Sequence, residues 1–212
     1  PHLLHTLAMI CKKAGAQFHA LPAQNGYQAA NIALVSTVMT ALGIEKNALA
    51  SGLKNTFLQC RFETIQEHPR VVLDGAHNRA KIRSTIENLK KLSYKKLHLI
   101  IGIAVNKNHD AMLAQIIPLA NHVYFTRFQI KDRQCAPPKS LRDASQKYLK
   151  LGTHVETTLD PEHALSMALG NASKDDLILV AGSFFLAGEL RQHWISEETI
   201  LQSRKSEPVK LL

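Results

Sequence analysis

Aromatic residues are scarce: the 212 residues include seven phenylalanines, four tyrosines and a single tryptophan. Proteins that bind single-stranded nucleic acid interleave aromatic platforms with basic groups, and no stretch of this sequence does so. Cysteine is scarcer still. Cys11, Cys60 and Cys135 are odd in number and far apart, which argues against a disulfide framework and fits reduced thiols in a cytosolic protein. Long apolar runs are missing too, since none approaches the roughly 20 residues needed to span a bilayer. Residues 1–10 are apolar but have no basic n-region and no small-residue cleavage site. A cytoplasmic protein without membrane contact or secretory leader is therefore expected. Acidic groups number 17 against 26 lysines and arginines, for a net charge of +9. That balance implies an anionic partner, whether nucleic acid, a phosphate-bearing cofactor or a polycarboxylate. The basic residues are scattered rather than clustered, as at Lys12-Lys13, Lys90-Lys91 and Lys95-Lys96. Nucleic acid is accordingly not expected as the partner.

What the sequence does contain falls into two parts. Residues 1–56 read as helical, with Leu3, Leu4, Leu7, Ile10 and Cys11 at helical spacing and Gly15 as a stop. Residues 29–42 form a second helical stretch, apolar on several sides and ended by Gly43, and residues 45–55 a short third. The segment 18–26 between the first two carries Pro22 and an Asn25-Gly26 turn signal. From Arg61 onward, short apolar runs at 71–73, 97–101, 122–125, 155–157 and 177–180 alternate with amphipathic stretches at 80–92, 110–120, 139–150, 162–171 and 184–194. This alternation predicts βαβ crossovers and a mostly parallel sheet with helices on both faces. Residues 62–65 add a candidate strand before the first run. A boundary is expected near residues 57–60, and residues 196–212 read as a loosely held polar tail. The first part is too small and too helical for a complete domain, so it is expected to be the trailing part of a larger one.

Three polar constellations carry chemistry. Val71-Val72-Leu73 runs into Asp74-Gly75-Ala76-His77-Asn78, so a buried strand delivers polar groups to its carboxyl end, where open α/β sheets bind ligands. The tight turn is expected to need Gly75 for its backbone freedom. The plainer reading is structural, with Asp74 or Asn78 capping the next helix. Cys60-Arg61-Phe62-Glu63 places an arginine at the boundary, and Gln28-Ala29-Ala30-Asn31 an amide pair near a helix start. Taken alone, these read as a surface charge and a helix cap.

In this order the three constellations resemble the C-terminal part of the folylpolyglutamate synthase/dihydrofolate synthase family, within the Mur ligase superfamily. Further matching elements are Ile101-Gly102 with residues 106–110, and Val180-Ala181-Gly182-Ser183-Phe184. Peptidoglycan-building Mur ligases more often carry a tyrosine where Gly75 stands, so Gly75 favours the folate branch. The resemblance implies an α/β fold with a Rossmann-like, mostly parallel sheet (residues 60–195), preceded by a helical remnant of a P-loop ATPase domain with its linker (residues 1–59). It implies a ligase that activates the carboxylate of folate, or of dihydropteroate, with ATP and Mg²⁺. The resulting acyl phosphate is then attacked by the amine of L-glutamate. By position, Asn31 matches the amide that contacts adenine, Arg61 the arginine that reaches the ATP phosphates, and Asp74 the acid that binds the ribose hydroxyls. His77 is a candidate for orienting glutamate or a phosphate at the reaction centre, Ser183 for glutamate at a helix N-terminus, and Lys107 for an anion contact.

The sequence departs from the family in two places. No Gly-x-x-x-x-Gly-Lys-(Ser/Thr) phosphate loop is present: Gly182 and Gly188 are one residue too far apart and Glu189 follows. The magnesium ligands and a carbamylated lysine also belong to the family's central domain, so no metal ligand is assigned here. The loop at 18–26 is short for the family. His2 and His5 have helical spacing but no Cys or carboxylate beside them, and the other histidines are dispersed, so no zinc site is expected. The chain is expected to be a monomer that is inactive alone. Another Mur-type amino-acid ligase and a standalone nucleotide-binding module are the alternatives.

Overall fold

A computed structural model describes residues 2–22, 24 and 27–203. The Asn25-Gly26 turn and the last part of the expected tail, residues 204–212, lie outside the described residues. The chain divides into two compact units, Pro1–Phe57 and Leu58–Leu212.

The first unit is helical: α1 (His2–Lys13), α2 (Tyr27–Ala41) and α3 (Lys46–Asn55). Gly15 and Gly43 end α1 and α2 with φ of 68° and 77°, where a side chain would be strained. Each passes the chain through paired end-of-helix bonds, Ala16 N–H to Cys11 O with Gly15 N–H to Lys12 O, and Ile44 N–H to Met39 O with Gly43 N–H to Thr40 O. No described side chain of this unit is buried, although α2 is apolar on most sides. Helices of that composition are ordinarily enclosed.

The second unit contains β1 (Glu63–Glu67), β2 (Arg70–Leu73), α4 (Arg79–Leu89), β3 (Leu97–Ile101), α5 (His109–Ile116), β4 (His122–Phe125), α6 (Pro138–Ser145), β5 (His154–Thr157), α7 (Pro161–Asn171), β6 (Leu177–Ala181), α8 (Phe184–Arg191) and α9 (Glu197–Ser203). The sheet order is β1-β2-β6-β3-β4-β5. All neighbouring pairs are parallel except β1 with β2. The inner strands β2, β6, β3 and β4 are mostly apolar because helices cover both faces, whereas the edge strands β1 and β5 are polar and partly exposed. Val72, Leu99, Val123 and Leu179 pack beneath α4, α5 and α6. Val71, Leu73, Ile100 and Val180 pack beneath α7 and α8.

Four helices stop short of the apolar pattern that predicts them. After α5 and α6 the chain tightens into 3₁₀ turns at Ile117–Leu119 and Gln146–Tyr148. After α4 and α8 it makes bonds three residues back, such as Leu92 N–H to Leu89 O and Trp194 N–H to Arg191 O. Such turns keep side chains on nearly the same face, so periodicity does not separate them from helix. Residues 197–203 form α9 where only loose tail is expected, and Ser196 Oγ accepts from Thr199 N–H at 3.1 Å to open that helix.

Strand register aligns three histidines that the sequence scatters. His98, His122 and His154 are cross-strand partners, with ring centroids 4.3 Å and 4.9 Å apart in near-parallel stacks. His98 is fully buried. Desolvation, aided by the His122 charge and opposed by Asp176 3.6 Å away, lowers its pKa from 6.5 to about 4. Burial lowers His122 as well. Over that interval the unfolded chain binds more protons than the folded one, so stability falls as the pH drops from 6.5 toward about 4. The loss attributable to His98 is on the order of 3 kcal/mol. Urea unfolding at stepped pH should show this slope, and His98→Leu should flatten it. An unchanged slope in that variant would exclude the histidine as the source.

Candidate functional site

The ladder between β2 and β6 runs one residue past the strand, with Asp74 N–H donating to Val180 O at 2.9 Å. The chain then turns away. Gly75 N–H donates to Cys60 O at 2.8 Å, and Gly182 N–H donates to Ala76 O at 2.9 Å. Three loops are thereby joined: the one entering β1, the one leaving β2 and the one leaving β6. Because α4 and α8 follow neighbouring strands onto opposite faces of the sheet, the carboxyl ends of β2 and β6 flank the crevice where open α/β sheets bind ligands.

Asp74 is only 8% exposed. Its Oδ1 accepts from Ala76 N–H at 3.0 Å and its Oδ2 from the Thr85 hydroxyl at 2.8 Å. Burial raises its pKa, while those two hydrogen bonds and the nearby Arg61 and Lys81 pull the other way. Both oxygens are held in place, and each keeps a further lone pair. Asn78, not Asp74, caps α4, its Oδ1 accepting from Lys81 N–H at 2.9 Å.

Gly75 is required for a different reason from the one its turn suggests. Its φ is not positive. Instead, a Cβ at this position would collide with the ring of Phe184. The left-handed glycine lies at Gly182, with φ of 96°, where a Cβ would also press on Gly102 O.

Arg61 is exposed, between Cys60 and Phe62, whose φ values of 52° and 53° are left-handed. Such backbone in non-glycine residues is costly and persists only when its surroundings hold it. Here Glu63 does so. Its Oε2 accepts from Cys60 N–H at 2.8 Å, while Arg191 Nε donates to both carboxylate oxygens at 3.1 Å. Both members of this ion pair are 4% exposed. The Arg61 guanidinium lies over the Phe184 ring, 5.0 Å from its centroid.

His77 is half-buried, its Nδ1 2.9 Å from Gly75 O. In the tautomer that makes this bond, Nδ1 donates and Nε2 is left as an acceptor. Burial lowers its pKa; the Gly75 bond opposes this, while Lys81, Lys107 and Arg61 add to the lowering. The imidazole is therefore neutral near pH 7 and sits in a field of three cations, an arrangement suited to an anionic ligand. Lys107, named from sequence as an anion contact, thus belongs to this neighbourhood. Ser183 is 3% exposed, and its Oγ accepts from Phe185 N–H at 3.1 Å as the N-cap of α8. That is the structural role of a capping serine.

The structure thus brings Arg61, Asp74, His77 and Ser183 together in one unit. Asn31 lies in the helical unit, in the second turn of α2, and is not a cap. The roles of Thr85, Glu63, Arg191 and Phe184 escape sequence reasoning, although Glu63 and Phe184 fall within the motifs it quotes. Glu63 and Arg191 are 128 residues apart, and no local pattern pairs them. Among the described residues, no group of three or more His, Cys, Asp or Glu could hold a metal ion.

A doubly wound α/β domain with a cationic crevice at its strand ends is a ligand-binding architecture. Residues 60–184 match the family described as Mur ligase, glutamate ligase domain, and the chain belongs to that family. A probable bifunctional folylpolyglutamate synthase/dihydropteroate synthase of Halobacterium salinarum is 33% identical over 175 residues, covering 82% of this chain and 21% of that protein. The fold is similar to that of E. coli FolC in complex with DHPP and ADP, with a TM-score of 0.68 and 24% identity over 91% of this chain and 43% of that one. Folylpolyglutamate synthase from Thermotoga maritima gives a TM-score of 0.59 and 30% identity, over 82% of this chain and 40% of that one. The chain therefore spans between 21% and 43% of the length of these proteins.

Proposed function

We propose that this chain is the C-terminal part of an ATP-dependent ligase that adds L-glutamate to the terminal carboxylate of a folate, or to dihydropteroate, through an acyl phosphate. The observation that carries this reading is the joining of Arg61, Asp74 and His77 at the carboxyl ends of β2 and β6, in a domain of the glutamate ligase family. Formation of an acyl phosphate requires cations along the triphosphate and firm orientation of the reactants. In this reading the Arg61 fork takes phosphate oxygens, and Asp74, fixed by Ala76 and Thr85, accepts the ribose hydroxyls. His77, neutral and beside three cations, faces the reacting end and orients glutamate or a phosphate. Ser183 contributes chiefly by capping α8, and Asn31 is assigned to adenine on the resemblance alone. Magnesium would travel with ATP and draw its ligands from the P-loop-bearing portion of the enzyme.

The exposed apolar side chains of α1 and α2, such as Leu3, Ile10, Leu34 and Val38, support this placement. A surface of that kind is ordinarily covered by further protein, here the remainder of an ATPase domain. The complete ligase, meaning this chain together with that portion, is proposed to be a cytoplasmic monomer. No described helix is long and apolar enough to cross a membrane.

Calorimetric titration of the 212-residue chain with ATP separates this reading from a standalone nucleotide-binding module. Half of a site should give no saturable heat below about 1 mM ATP. Micromolar binding by the chain alone would favour the module.

A further inference from the structure

Phe184 touches each of the elements that present Arg61. Its ring occupies the space that Gly75 leaves open by having no Cβ, and the Arg61 guanidinium carbon lies over it, 5.0 Å from the centroid. Phe184 is 40% exposed, but the backbone that carries its ring is well anchored. Ser183 caps the helix that begins at Phe184, Ala187 N–H donates to Ser183 O at 3.2 Å, and the adjoining Phe185 packs on Phe128 with centroids 5.4 Å apart. The Arg61 backbone is anchored as well, through Glu63, Arg191 and the Gly75–Cys60 bond. Without the ring, the exposed side chain would have nothing to hold it: Arg61 has no carboxylate partner among the described residues.

The kind of hold matters. A carboxylate would fix a guanidinium by occupying its N–H donors and cancelling its charge. An aromatic face attracts the cation through its quadrupole and leaves all five donors free. Guanidinium planes that stack on a ring can thus be oriented in advance and still offer a bidentate edge to phosphate.

We propose that Phe184 is a positioning residue for nucleotide binding: seated against Gly75, it orients Arg61 while leaving its donors open for a phosphate. This rests on the reading of Arg61 as the phosphate contact.

The test is a set of variants in the complete ligase, with KM for ATP and kcat measured separately. Phe184→Ala should raise KM for ATP about two- to fivefold, the size of a lost cation–π contact at an exposed site, with kcat essentially unchanged. Phe184→Leu, which keeps apolar bulk without the ring, should behave like the alanine variant, and Phe184→Tyr should restore the wild-type KM. In an Arg61→Ala background, Phe184→Ala should leave KM for ATP unchanged. A leucine variant with wild-type KM would overturn the proposal, as would an undiminished effect of Phe184→Ala in the Arg61→Ala background. If Arg61→Ala alone leaves KM unchanged, the phosphate reading of Arg61 fails, and this proposal fails with it. If only the Phe184 variants are silent, the phosphate reading survives and the positioning role is refuted.

Discussion

Replacing Arg191 with methionine is expected to destabilise the α/β unit by about 3–5 kcal/mol, the cost of removing one partner from a buried ion pair. Glu63 would be left buried without its counter-charge, for its carboxylate is only 4% exposed and receives Arg191 Nε on both oxygens. Methionine fills similar space, so most of the loss comes from the stranded carboxylate. Adding Glu63→Gln to Arg191→Met should recover a large share, because an amide oxygen can still accept from Cys60 N–H and carries no charge. Urea unfolding of the chain, followed through Trp194, would measure both. A loss below about 1 kcal/mol for Arg191→Met would mean that the pair is hydrated and does not anchor the loop.

Arg61→Ala is expected to lower kcat/KM for ATP in the complete ligase by roughly ten- to a hundredfold, as for a lost charge-assisted hydrogen bond of about 1.5–3 kcal/mol. Folding stability should change little, since Arg61 is exposed and its loop is held by Glu63 rather than by its own side chain. Arg61→Lys should restore only part of the loss, because an ammonium keeps the charge and lacks the fork. Steady-state ADP release at varied ATP reads both variants, and urea unfolding reads the stability. A wild-type rate in Arg61→Ala would remove this residue from the site.

The strands and the polar turn after β2 are legible in sequence because parallel strands buried on both faces must be apolar along their length, and where they end the chain has to turn. Asp74 and His77 stand out for that reason. Helix ends are less legible. Leu92 and Trp194 stay near the helical face after the helix has given way to tighter turns. The support beneath the site is not legible at all, because it depends on contacts across the fold. Nothing near Glu63 announces Arg191, and nothing near Gly75 announces a phenylalanine that follows the neighbouring strand β6, distant in sequence. Gly75 illustrates the difference. Its identity is visible in the sequence, but the physical need is for space above it and not for an unusual backbone angle. The stacked histidines show it again, since only strand register brings His98, His122 and His154 into line.

The most direct measurement is ATP-driven transfer of isotopically labelled glutamate, with product mass and ADP followed together in the complete ligase and in the 212-residue chain alone. The account predicts that the complete ligase forms glutamylated folate or dihydropteroate and ADP in equal amounts, only when both acceptor and glutamate are present. It predicts no turnover from the chain alone. Acceptor- and glutamate-dependent ADP release by the chain alone, or no labelled product from the complete ligase, would contradict it.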